Sequence, residues 1–532
     1  MQATTARNKT GRKPAPMAIA AFFIVSGFCS LLYQTIWLRL AFSEFGVITP
    51  IVSVVVSVFM LGLAIGSSVG GRFTQPLMAR FNRRGLFFYG IAELLVALGG
   101  LIAPMLLSST SSLLLHAGAS DSFTYLGLSA LALGASILPW TVAMGATFPF
   151  AMADLKQLSA DNSNNSFGFL YVANIAGATL GAIVPAVVFI ELFGFKQSLL
   201  IAALLNLVIA IAAFALCSLP VPPATMAMAT EAPPSQSRPS RQSALRGLNG
   251  AILFLTGMIA LSMEICWTRL FTPVLGTVVY AFAWMLAVYL CSTLLGSCLY
   301  RLDLRNNALR SRGELLAWAA ALSLLPIVLN DPRWSFAHNT STVLASILPF
   351  CAALGYLTPM IIDDVSDGDP EKAGTAYGIN IVGCIIGPLV TGYVLLPTAG
   401  VKLSLIMLAI ALITAAFATL RGQSKLRPVA IPLLFTMLLF AGSLLCWSWE
   451  ERFSLLNAKT EIHRDYAATT VCSTENGTKL LYVNGISMTS LCAPMTFAPS
   501  SAGRSTRRRL SSSACSAGCR SSCTPAHRPR VR

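Results

Sequence analysis

A direct internal duplication constrains this chain more than any other feature. The segment from Ser26-Gly27-Phe28 to Trp37-Leu38-Arg39-Leu40 returns as Thr256-Gly257-Met258 to Trp267-Thr268-Arg269-Leu270, at an offset of 230. Gly66 has its counterpart in Gly296, and Pro139, Gly145 and Pro149 return as Pro349, Gly355 and Pro359. Tyr171-x-x-Asn174-x-x-Gly177-x-x-x-Gly181, with Gly194 and Lys196, recurs as Tyr377-x-x-Asn380-x-x-Gly383-x-x-x-Gly387, with Gly400 and Lys402. A chain that repeats itself in this way builds two like halves.

Composition says what was duplicated. With 55% hydrophobic and 11% charged residues and a mean hydropathy of +0.70, the chain holds more apolar surface than a soluble core of this length buries. Spans of about 20 apolar residues, the length that crosses a bilayer as helix, are expected at 17–42, 50–71, 85–107, 127–152, 168–192 and 198–218. The second half offers 250–272, 277–299, 314–330, 341–362, 374–396 and 402–420, with an unduplicated thirteenth at 429–448. The expected fold class is an all-α polytopic membrane protein of two six-helix halves plus one further span.

Lys and Arg in short loops set orientation. Arg7, Lys9, Arg12 and Lys13 precede the first span; Arg72, Arg80, Arg83 and Arg84 follow the second; Arg301, Arg305, Arg310 and Arg312 follow the eighth; Arg421, Lys425 and Arg427 follow the twelfth. The loops at 43–49, 108–121 and 273–276 contain neither Lys nor Arg. The N-terminus is therefore expected to be cytoplasmic; a bacterial inner membrane is the location that the family resemblance given below implies. The domain scheme is a basic arm (1–16), a first half (17–218), a Pro/Ala/Ser-rich cytoplasmic linker (219–246), a second half (247–420), an added span (428–449), a β-hairpin (450–496) and a basic tail (497–532). Two parallel six-helix repeats joined by a cytoplasmic linker resemble the major facilitator superfamily.

A narrower resemblance rests on particular residues. Ser26-Gly-Phe-Cys-Ser-Leu-Leu-Tyr-Gln-Thr-Ile-Trp-Leu-Arg-Leu40 and Phe59-Met-Leu-Gly-Leu-Ala-Ile-Gly-Ser67 resemble the opening of bacterial membrane proteins that fuse a facilitator-like bundle to a spermidine synthase domain. Arg464-Asp-Tyr466 and Leu481-Tyr-Val-Asn-Gly-Ile-Ser-Met-Thr-Ser-Leu491 are similar to the β-hairpin that begins such domains. The resemblance implies polyamine handling and aminopropyl transfer, with decarboxylated S-adenosylmethionine as substrate only if a complete synthase domain exists. The family's Gly-rich nucleoside loop and catalytic Asp do not follow: no Gly-x-Gly-x-x-Gly-like loop occurs after residue 450, and Glu475 is the last acidic residue. Where soluble relatives place Gln against the nucleoside, this chain has Ala467 and Met488. No catalytic residue and no resident cofactor are assigned.

Residues 497–532 are mostly Ser, Arg, Ala, Pro, Cys, Thr and Gly. That composition suggests GC-rich DNA read out of frame beyond about residue 495; the other reading is a disordered basic tail that meets anionic lipid. Eight of the 37 Lys and Arg behind the net charge of +16 lie there. Nucleic acid is therefore not needed as a partner. The thirteen cysteines contain no Cys-x-x-Cys pair, and His116, His338, His463 and His527 are scattered, so no metal site is expected.

Intramembrane polar residues are the candidate site, since burying an ionisable group in lipid is costly. Glu93, Glu191 and Glu264 lie in apolar stretches, and Glu264 holds the repeat position of Gln34. A polycationic amine suits a carboxylate near the pseudo-twofold axis, but Glu264 paired with Arg269 or Arg39 would be only a strut. Arg39 and Arg269 themselves are expected to snorkel to the interface. Asn174 and Asn380 either bond across a helix contact or line a cavity. Tyr171, Gly177, Gly181, Tyr377, Gly383 and Gly387 are read as a helix-packing motif. Three functions stand: a carrier module handling polyamines or other small cations, an aminopropyltransferase whose full sequence is longer, and a non-transporting anchor. The bilayer is the one sure partner, and oligomeric state is open. Thirteen crossings from a cytoplasmic start would put the hairpin outside, so either the last apolar run is interfacial or re-entrant, or another span is misread.

Overall fold

The computed structural model describes residues 14–117, 122–158, 166–218, 241–276, 278–366, 370–420, 427–456, 460–475 and 478–492. The basic arm up to residue 13, residues 219–240 of the linker and the Arg/Ser-rich tail lie outside the described residues. The first half comprises α1 (Pro14–Phe45), α2 (Thr49–Phe81), α3 (Gly85–Ala117), α4 (Ser122–Leu158), α5 (Ser166–Val184) and α6 (Ile190–Cys217). The second comprises α7 (Arg241–Leu275), α8 (Val278–Arg305), α9 (Arg312–Leu329), α10 (Thr340–Ser366), α11 (Pro370–Val390) and α12 (Leu396–Leu420). Then come α13 (Arg427–Leu445), a short α14 (Trp449–Leu456) and four strands.

Eleven stretches among the described residues are long and apolar enough to cross a membrane. One of them, Gly374–Thr419, is two crossings joined at Gly400, which interrupts the helix with φ 73° and ψ 178°. Its counterpart Gly194 does the same in the first half, with φ 70° and ψ 178°. Positive φ is easy for glycine and strained for residues with a Cβ. A π-helical turn precedes each break in the same register, Pro185–Phe189 and Thr391–Leu395.

The duplication reaches individual atoms. α1 packs on α5 as α7 packs on α11, and α2 on α4 as α8 on α10. A Cβ on Gly177 or Gly181 would run into the carbonyl oxygens of Ile24 and Phe28; on Gly383 or Gly387 it would run into those of Phe254 and Met258. Each acceptor is the other's partner at the 230 offset. These glycines let backbones approach where side chains would hold them apart, which is how helices pack without a hydrophobic drive in lipid. The halves meet where α2 packs on α11 and α5 on α8, with Ser57 Oγ donating to the Ile385 carbonyl at 2.9 Å.

Contacts between helix ends define two faces. At the basal face, where α6 ends and α7 begins, Arg84 donates to Asp154 and the Leu216 carbonyl, and Arg312 donates to Asn249. At the opposite, apical face, Ser111 donates to the Glu44 carbonyl and Tyr125 to that of Phe45. α13 lies parallel to α9 against the second half, with Thr436 Oγ1 bonded to the Ala317 carbonyl at 3.1 Å, and turns Ile431, Met437 and Leu438 outward. It therefore runs from the basal to the apical face as a crossing rather than an interfacial or re-entrant segment.

The strands β1 (Thr460–Arg464), β2 (Thr469–Glu475), β3 (Thr478–Val483) and β4 (Ile486–Cys492) form an antiparallel sheet in sequence order. The expected short hairpin is thus a four-stranded meander. β1, Thr-Glu-Ile-His-Arg, has too little apolar alternation to be seen in sequence, and its register, Thr460 opposite Ser473, is set by pairing with β2. Asn484 and Gly485, both at positive φ, turn β3 into β4.

The loop after α9 is held by an acid. Asp331, with its side chain fully buried, accepts from Arg333 Nε and Nη2 at 3.0 and 2.5 Å and from the Trp447 backbone N at 3.1 Å. Burial alone would raise its carboxyl, but the bonds from Arg333 and Trp447 outweigh that and hold it below the ordinary carboxylate value. A depressed folded-state value contributes stability above the unfolded value of about 4, lost as pH falls through the folded one. The thermal midpoint of the wild type should fall more steeply below about pH 4 than that of Asp331→Asn, which should start lower near neutrality. Parallel acid profiles of the two proteins would refute this role.

Candidate functional site

A cavity of about 100 Å³ lies in the first half and reaches the interface between the halves. α1 supplies Phe23, Ser26 and Ser30, α2 Phe59 and Ser67, α4 Thr147 and Phe148, and α5 Tyr171 and Asn174. Tyr377 of α11 closes it from the second half. Among the described residues its lining carries hydroxyls, an amide and aromatic rings but no charged side chain. Tyr171 and Tyr377 meet edge to face with ring centroids 6.5 Å apart. The two copies of one motif residue therefore touch each other across the pseudo-twofold axis and wall the cavity, a role beyond the helix packing expected for them.

Glu93 stands immediately behind that wall. Ser26 Oγ, which faces the cavity, donates to Glu93 Oε1 at 2.6 Å; Asn206 Nδ2 donates to Oε2 at 2.5 Å, and Tyr33 OH donates to Asn206 Oδ1 at 3.1 Å. α1, α3 and α6 are thereby joined by one buried polar chain. A buried carboxylate without hydrogen bonds would be far costlier. Asn206 and Tyr33 were not singled out from sequence, although Asn206 interrupts an otherwise apolar run.

Glu264 has no such partners. It is buried, and among the described residues no hydrogen bond or ion pair reaches its carboxylate. The expected strut to Arg269 or Arg39 does not form, because Arg269 is turned toward the sheet. Within electrostatic reach of Glu264 lie Tyr289, Cys351 and Cys384, and Tyr289 in turn reaches Tyr171. Its repeat counterpart Gln34 is likewise buried. The asparagines take different places: Asn174 lines the cavity, whereas Asn380 Nδ2 bonds the Leu253 carbonyl at 2.8 Å across the α7–α11 contact. Glu191 is exposed near the Gly194 break.

Arg269 departs from the expected snorkelling. It is 2% exposed and donates to the carbonyls of Asp465 (3.2 Å) and Tyr466 (2.9 Å) and to Thr49 Oγ1 (3.0 Å). The turn between β1 and β2 supplies acceptors that the isolated helix lacked, so both terminal nitrogens of the guanidinium are bonded inside the protein, while Nε meets no partner among the described residues. The structure also pairs Arg84 with Asp154 and Arg312 with Asp364 at the basal ends of α3–α4 and α9–α10. The signal was present: Asp154 and Asp364 differ by 210, the offset that relates Pro149 to Pro359.

No family model and no curated protein sequence matches the chain. Among solved structures it is similar to a crystal structure of the nucleoside transporter NupG, with a TM-score of 0.53 and 14% identity over 76% of this chain and 98% of that one. A point mutant of that transporter gives a TM-score of 0.50, with 14% identity over 76% of this chain and 99% of the other. The chain has the two-half helical fold of a membrane transporter.

Proposed function

We propose that this protein is a membrane carrier for a small organic cation, an amine of the polyamine class, which passes between the two halves beside Glu264. One observation carries this reading: Glu264 is a buried residue in a membrane-crossing helix, and among the described residues its carboxylate meets no hydrogen-bond or ion-pair partner. Leaving such a group unpaired costs several kcal/mol or more unless it neutralises or meets a cation, and a substrate ammonium is the cation a carrier brings to it. The basal face carries Arg72, Arg80, Arg83 and Arg84 with Arg301, Arg305, Arg310 and Arg312, a positive-inside pattern that supports a cytoplasmic placement of that face.

A neutral, nucleoside-like solute is the second reading. The uncharged, aromatic lining of the cavity favours it, as does the substrate named for the similar transporter. Aminopropyl transfer draws on the sheet alone, and the residues that resemble the synthase are engaged in docking: Arg269 holds the Tyr466 carbonyl, and Gly485 packs on Pro273 and Trp449.

The test is uptake into proteoliposomes of radiolabelled putrescine, spermidine and uridine. The cation reading expects amine uptake that Glu264→Gln cuts by roughly tenfold or more, the loss of one charge-assisted contact. Uridine uptake indifferent to Glu264→Gln selects the neutral solute. Uptake of none of the three removes the cation reading.

A further inference from the structure

The sheet is attached to the two halves very unequally. On the second half, Lys402 Nζ bonds Glu451 at 3.1 Å and the Cys446 carbonyl at 2.7 Å. Glu450, 3% exposed, accepts from Arg464 Nε at 2.9 Å and from Thr469 Oγ1 at 3.3 Å. Gly400 lets these groups come close: a Cβ there would stand 2.9 Å from Arg464 Nε and 3.0 Å from Glu450 Oε2. The first half has the same elements without the occupant. A Cβ on Gly194 would meet nothing within 4 Å, and Lys196, the counterpart of Lys402, is exposed.

On the first half the sheet holds Thr49, the first residue of α2. Its hydroxyl donates to the Ala467 carbonyl at 3.3 Å and accepts from Arg269 at 3.0 Å. Three consecutive carbonyls, those of Asp465, Tyr466 and Ala467, thus converge on a guanidinium from one half and a hydroxyl from the other. The node is buried, since Arg269 is 2% and Thr49 7% exposed, so water does not compete for these bonds.

We propose that the 465–468 corner is a latch: the sheet rides on the second half and closes the apical face by capturing Thr49 of the first. The proposal rests on the carrier reading, in which the halves must part at each face in turn. Opening the apical face then requires release of the Thr49 hydroxyl on one side, while the Lys402 bonds to Glu451 and Cys446, the Arg464–Glu450 pair and the close packing at Gly400 and Pro273 stay intact. A segment outside the duplication thereby makes the cycle asymmetric, favouring the state closed at the apical face.

Spin-label distances across the apical face test this in the full-length protein in nanodiscs. A keto amino acid at exposed Val47, beside α2, and another at exposed Leu445, at the end of α13, take the labels and leave native cysteines untouched. Thr49→Val, which keeps the shape and removes the hydroxyl, should enlarge the long-distance population roughly fivefold, the factor that about one net hydrogen bond carries. Thr49→Ser should restore the wild-type distribution. If Thr49→Val gives no folded protein, Arg269→Lys, which loses the fork that spans the acceptors, should give the same shift. Unchanged distances in whichever variant folds would overturn the latch, even in protein that transports. A shift in protein that takes up no solute would leave the latch standing and count against the carrier reading alone.

Discussion

Arg84→Ala should cost about 3–5 kcal/mol of stability, while Arg312→Ala, at the same place in the second repeat, should cost about 1 kcal/mol or less. Arg84 precedes α3 and Arg312 opens α9, and each pairs with an aspartate near the end of the next helix. The difference is solvent. The Asp154 side chain is fully buried, and Arg84 grips it with Nε at 3.0 Å and Nη2 at 2.7 Å, so removing the arginine strands a charge away from water. The Asp364 side chain is 50% exposed, and water replaces Arg312 at little cost. Thermal midpoints of the two variants in detergent compare them directly, and Arg84→Ala with Asp154→Ala in one chain should recover much of the loss. Equal midpoints for the two single variants would show that burial does not govern these pairs.

Gly177→Val and Gly383→Val should each abolish most folded protein, and to the same degree. A Cβ at either position meets the backbone carbonyl of a facing helix, Ile24 for one and Phe254 for the other. Backbone cannot rotate away as a flexible side chain can, so the helices must separate. Overpacking of this kind costs about 1–3 kcal/mol in soluble cores and more where the obstacle is backbone. Gly134→Val in α4 is the control, since a Cβ there meets nothing within 4 Å. Monodisperse yield after solubilisation should fall sharply for the first two and hold for the third. A well-folded Gly383→Val protein would mean that the α7–α11 crossing is looser than described.

Much of the fold is legible in the sequence because its signals are strong and local. Long apolar runs demand crossings whatever surrounds them, and the matched offsets carry one set of helix contacts onto another. The pairs Gly177 with Ile24 and Gly383 with Phe254 follow from that register once one of them is known. The candidate site was less legible. Glu93 and Glu264 are equally conspicuous as acids in apolar helices, yet Glu93 sits in a hydrogen-bonded chain with Ser26 and Asn206, whereas no hydrogen bond reaches the Glu264 carboxylate among the described residues. Their difference depends on which residues of distant helices face them. Arg269 was misread for a related reason: its acceptors lie about 196 residues away, in a corner of sheet with no periodic signal.

The sequence by itself determined that this is a polytopic helical protein of two repeated halves with a further span, because hydropathy, glycine spacing and internal offsets are properties of the chain before it folds. Only the tertiary structure decided that Tyr171 meets Tyr377, that Glu264 meets no partner among the described residues, and that the sheet grips Arg269 and Thr49 at the apical face. Those are meetings between residues far apart in the chain, and they depend on how helices tilt and which faces they turn to one another, which no local pattern encodes.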